Sequence, residues 1–65
     1  MTRAEEFVAG MQIILKYDPN ADYASEHDIF WFGKSDIPVT DEEKALLEKY
    51  GWHIDERYDC WLHYT

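Results

Sequence analysis

The chain has 65 residues, a net charge of −8 from fourteen acidic against six basic residues, and three Trp, five Tyr and three Phe. A chain so acidic and poor in aromatics would stay disordered, whereas this aromatic content supplies apolar surface enough for a core. The size allows one domain over residues 1–65, the charge disfavours direct contact with nucleic-acid phosphates or anionic membranes, and no apolar run approaches the roughly 18 to 20 residues that span a bilayer.

Domains this short usually need reinforcement beyond one hydrophobic core. An internal disulfide is excluded because Cys60 is the single cysteine, which also fits a reducing cytoplasm. No basic stretch followed by an apolar core opens the chain, so a soluble cytoplasmic protein is expected. Dense aromatic packing is the expected stabiliser, and a homodimer interface would add to it.

In chain order, Thr2 with Glu5 forms a capping-box pattern, and Phe7, Val8, Met11, Ile14 and Leu15 recur at helical spacing. The pattern predicts a helix from about Arg3 to Tyr17, stopped at Asp18-Pro19-Asn20. Asn20 to Glu26 read as a polar connection. His27 to Phe32 are short and aromatic, predicting a strand that Gly33 ends, with Phe30 and Phe32 on one face and Ile29 and Trp31 on the other. Lys34 to Val39 form a loop broken by Pro38. Thr40-Asp41-Glu42-Glu43 is a second capping box, followed by the apolar stripe Leu46, Leu47 and Tyr50, with Gly51 where a left-handed C-cap belongs. Trp52-His53-Ile54 and Cys60 to Tyr64 predict two strands joined by the polar turn Asp55 to Asp59. The expected fold is α+β, in the order helix, strand, helix, strand, strand: a small three-stranded antiparallel sheet with both helices packed on one face. Its other face would show some of Trp31, Trp52, Trp61 and His63 to solvent or to a second subunit.

Candidate metal ligands are His27, Asp28, His53, Cys60 and His63, but the one close pair, Cys60 and His63, is separated by three residues and projects to opposite faces of a strand. No metal or other cofactor is expected. Cys60 lies between Asp59 and Trp61, surroundings that keep a thiol protonated, and His53 and His63 could face each other across the terminal hairpin as an acid-base pair, although two histidines in a small sheet occur without that role; no catalytic residue is assigned and the protein is read as a non-enzyme. The acidic residues fall into two groups. Helix capping accounts for Asp41 to Glu43, while Asp55, Glu56 and Asp59 put three carboxylates into a turn whose geometry needs one at most. Such a patch can mimic the phosphates of a nucleic acid and occupy a basic groove.

The string Glu26 to Phe32, then Glu43 with Leu46 and Leu47, Gly51-Trp52, and Trp61 followed by Tyr64-Thr65, resembles a group of short acidic proteins encoded in bacteriophage and prophage genomes. The likeness covers most of the chain from Phe7 onward and carries no catalytic assignment. It implies an accessory role against host factors, inhibitors of bacterial defence systems among them, in the host cell cytoplasm.

Two functions are expected on these grounds. The first is an acidic, non-enzymatic protein that binds and inhibits a basic host protein, with Asp55, Glu56 and Asp59 supplying charge and Trp31, Trp52 and Trp61 as anchors. The alternative is a homo-oligomer that sequesters a nucleotide-like molecule, with Lys34 beside the strand end as its phosphate contact.

Overall fold

The computed structural model describes residues 1–64. Thr2 caps the first helix, α1 (Arg3–Tyr17): the Glu5 amide donates to Thr2 Oγ1 at 3.1 Å and the Thr2 amide donates to Glu5 Oε1 at 2.8 Å. Pro19 forbids continuation, and the Asp18 amide closes the last turn on the Ile14 carbonyl. The second helix, α2 (Asp41–Lys49), starts the same way from Thr40 and Glu43, and Gly51 at φ 89° follows its end.

The sheet has four antiparallel strands, where three were expected. Residues Tyr23–Glu26, read above as connection, form strand β1 and pair with β2 (Ile29–Lys34) through a two-residue turn at His27-Asp28. That turn also corrects the start of the aromatic strand, which begins at Ile29 and not at His27. His27 takes φ 53°, a left-handed conformation that His, Asn and Asp tolerate better than most side chains. The strands after α2 are β3 (Trp52–Asp55) and β4 (Cys60–Tyr64), and the order across the sheet is β1-β2-β4-β3. Gly33 does not stop β2. With φ 71° it makes a bulge, so Phe32 pairs with Trp61 while Lys34 pairs with Cys60. A Cβ on Gly33 would lie 2.5 Å from Cγ2 of Ile14, so the close approach of α1 to the bulge also requires glycine.

Register assigns the faces. Phe30, His63 and Trp52 form one row, and Phe32, Trp61 and Ile54 the next row on the same side. Trp31, Leu62 and His53, with Lys34, Cys60 and Asp55, occupy rows that point the other way. Helix α1 lies over the first side: the Phe7 ring stacks on Trp52 at 5.3 Å between centroids and meets Phe30 and His63 edge-on. Leu47 of α2 enters the same core with Ile14, Phe32, Trp52 and Trp61. Both helices therefore cover one face, and the core is largely aromatic. His63 is part of it: its Nε2 lies 3.0 Å from the Tyr50 carbonyl, which can only accept, so Nε2 carries the ring proton.

Glu43 joins the two helices. Its carboxylate accepts from the Thr40 amide, from the Tyr17 hydroxyl at the end of α1, and from Lys16 Nζ at 3.1 Å. The Thr40 amide first, then the Tyr17 hydroxyl, hold this carboxyl at about 2, below its ordinary 4.5, against the opposing effect of burial.

Two tests follow from these contacts. Gly10 of α1 lies so close to the indole of Trp52 that a Cβ there would collide with Nε1 and Cδ1. Helix propensity alone would make Gly10→Ala stabilising by about 1 kcal/mol. Overpacking should reverse the sign and destabilise by about 1 to 3 kcal/mol, read as a lower urea midpoint at unchanged slope. For Glu43, a folded-state pKa below the unfolded one gives stability that is complete above pH 4.5 and lost as the pH falls to about 2. Urea midpoints measured across that window should fall for the wild-type chain and change less steeply for Glu43→Gln, the remainder coming from Glu5 and Asp55, whose carboxyls are also held low.

Candidate partner-binding surface

The face of the sheet turned away from the helices is built on Trp31. Its indole N–H donates to Asp55 Oδ2 at 2.9 Å. Because β4 separates β2 from β3, this bond carries the indole across β4, the strand on which Leu62, the register partner of Trp31, is buried. Asp55 is itself 5% exposed and also accepts from the Arg57 backbone amide at 3.0 Å and from its guanidinium at 3.4 Å. The Trp31 indole first, then Arg57, hold the Asp55 carboxyl below its ordinary value. Tyr58 meets Trp31 edge-on at 5.7 Å, and the Arg57 guanidinium lies over the Tyr58 ring at 5.3 Å. The result is an interlocked Trp31, Asp55, Arg57 and Tyr58 cluster with the Tyr58 ring largely in solvent.

This arrangement divides the anticipated site. Trp52 and Trp61 are 0% and 1% exposed on the helix side, so neither is free to anchor a partner. Their places in the core follow from the row that each shares with Phe30 or Phe32. Asp55 is consumed internally by Trp31 and Arg57, and its charge is matched. Glu56 and Asp59 remain exposed in the turn, Asp59 at φ 53° with its carbonyl accepting the Ser35 amide at 2.9 Å. Trp31 is half-buried on the open face and is the one indole that a partner can reach. Arg57 and Tyr58 were not among the anticipated site residues; the spacing Asp55-x-Arg57 across a turn was the available sign that the aspartate is paired.

Lys34 is exposed at the end of β2, beside a groove of about 410 Å³ that Asp18, Asp22, Tyr23, Trp31 and Cys60 also line. An anion entering there would meet two carboxylates with that one ammonium. Burial, then the charges of Asp55 and Asp59, push the Cys60 thiol up, so it is protonated at neutral pH and a poor nucleophile. His53 and His63 are on opposite faces of the sheet and make no acid-base pair. Among the described residues no three His, Cys, Asp or Glu side chains converge as metal ligands, and no helix is long and apolar enough to cross a membrane.

Trp31→Phe keeps a ring over β4 but removes the donor to Asp55. The melting temperature should fall by roughly 4 to 8 °C, the scale of one lost hydrogen bond in a domain of this size. Asp55→Asn should lower it in the same direction, measured by circular dichroism.

Comparison with protein-family models, with curated proteins and with solved structures gave no match to this chain.

Proposed function

We propose that this chain is a non-enzymatic interaction protein that docks on a basic surface of another protein and blocks it, in the setting that the resemblance to short phage proteins implies: inhibition of a host factor, such as a defence-system component, in the host cytoplasm. The observation that carries the reading is the sheet face left bare of helices, where Trp31 and Tyr58 stand beside Glu56 and Asp59 in a chain of net charge −8. Aromatic rings give contact area at low entropic cost, and the surrounding carboxylates steer a cationic partner toward them. A protonated Cys60 thiol and the separated histidines give no support to a catalytic role. Charge also speaks against sequestering a nucleotide-like anion at Lys34, because Asp18 and Asp22 share its groove.

Partner capture from bacterial lysate, followed by titration of the purified partner, tests this. Affinity should fall as salt rises from about 0.1 M to about 1 M, where the screening length shrinks from about 10 Å to about 3 Å. Glu56→Lys combined with Asp59→Lys should weaken binding by about 10-fold. A partner whose affinity ignores both the salt and the charge reversal would sink the reading.

A further inference from the structure

β1 is the outer strand of the sheet, and all four of its residues are exposed. Register shows which of its main-chain groups face away from β2. The Gly33 amide donates to the Asp22 carbonyl at 3.1 Å, so residues 22 and 33 are a hydrogen-bonded pair. Alternation then makes Ala24 with Trp31 and Glu26 with Ile29 the next bonded pairs, and turns the N–H and C=O of Tyr23 and Ser25 outward. The Tyr23 amide is taken by Asp22 Oδ1 at 2.8 Å. The Ser25 amide and both carbonyls have no partner among the described residues. The opposite edge offers less: β3 packs against α2 and buries its terminal residues Trp52 and Asp55.

An open edge is a template for another strand unless charge, proline or a bulge blunts it. β1 has no proline and no bulge; its protection is acidic. Between Lys16 and Lys34 the chain has no Lys or Arg, while Glu26 lies in β1 and Asp18, Asp22 and Asp28 flank it along the chain. That selects the occupant. A second copy would set these carboxylates against their own kind, which is destabilising for directly opposed strand positions. A cationic strand would find them complementary. The groove beside Gly33 adjoins the start of β1, and Asp18, Asp22 and Trp31 are among the residues that line it. Lys34 lies on it as well, and leaves the carboxylates in excess by one.

We propose that the outer edge of β1 receives an extended, lysine- or arginine-bearing segment of the partner, which adds a fifth strand to the sheet and places one basic side chain in the groove between Asp22 and Trp31. This rests on the reading of the chain as a binder of basic proteins and names the partner's recognised element. Main-chain hydrogen bonds supply affinity in such strand addition, and the side-chain positions supply selectivity.

The test uses the whole chain, labelled for amide NMR, and an alternating lysine-threonine peptide of about eight residues, a typical strand length. A glutamate-threonine counterpart and a lysine-threonine peptide N-methylated at alternate residues are the controls. The lysine peptide should shift the Ser25 amide and slow its hydrogen exchange, the glutamate peptide should not, and N-methylation should weaken binding by about 10-fold or more. Ser25→Pro, which removes an outward-facing donor without touching the ladder to β2, should weaken binding by about 3- to 10-fold. The N-methyl control keeps the inference testable if that variant fails to fold. Equal binding of the methylated peptide, or shifts at Glu56 and Asp59 with Ser25 unmoved, would overturn strand addition and leave the basic-partner reading standing. Absence of binding up to about 1 mM would also overturn it, with the salt-dependent capture deciding the broader reading separately. Equal binding of the glutamate peptide would overturn both.

Discussion

The contact between α1 and Trp52 is the constraint on which the fold depends. Trp52 opens β3, yet its indole lies beneath the first helix, stacked against Phe7 and roofed by Gly10. A helix can come this near to an indole only where it has no side chain. Phe30, Phe32 and His63 close around the same ring, so one residue ties α1 to three strands. In 65 residues there is no room for a second independent core, and the aromatic cluster substitutes for the disulfide or metal that small domains often use. Its cost is polar: the indole N–H groups of Trp52 and Trp61 and Nδ1 of His63 are buried without partners among the described residues.

Placing two indoles inside leaves Trp31 alone on the open face, and the protein does not leave it loose. Asp55 fixes the indole, Arg57 fixes Asp55, and Tyr58 meets the indole edge-on. A surface aromatic that is held in one orientation before a partner arrives loses little freedom on binding. The exposed carboxylates of Glu56 and Asp59 border this cluster from the same turn. The open face and the β1 edge meet at the row that contains Ala24 and Trp31, so a segment paired with β1 would run alongside the ring.

The parts legible in the sequence were those written locally. Both helices follow from capping boxes and apolar spacing, and Pro19 and Gly51 mark their ends within a residue or two. The last two strands follow from aromatic runs separated by a polar turn. β1 was illegible for a physical reason: beyond Tyr23, Ala24-Ser25-Glu26 has little strand propensity and no position is buried, so the strand comes from pairing with β2 more than from its own residues. The turn that makes the pairing uses His27-Asp28 in place of the usual glycine. Alternation along β2 already set Trp31 opposite Phe30 and Phe32, but the fates of Trp52 and Trp61 were likewise hidden. Which face Trp52 and Trp61 occupy depends on how β3 and β4 register against β2, and that cannot be read from the residues nearby. The burial of Asp55 follows from the same long-range geometry.

Glu43 has a wider bearing than its place in a cap suggests. One carboxylate closes the first turn of α2 and grips the last turn of α1 through Tyr17 and Lys16. Fraying at either of these termini removes an acceptor or a donor from the other, so the tail of one helix and the head of the next open as a single cooperative unit and not as two independent ends.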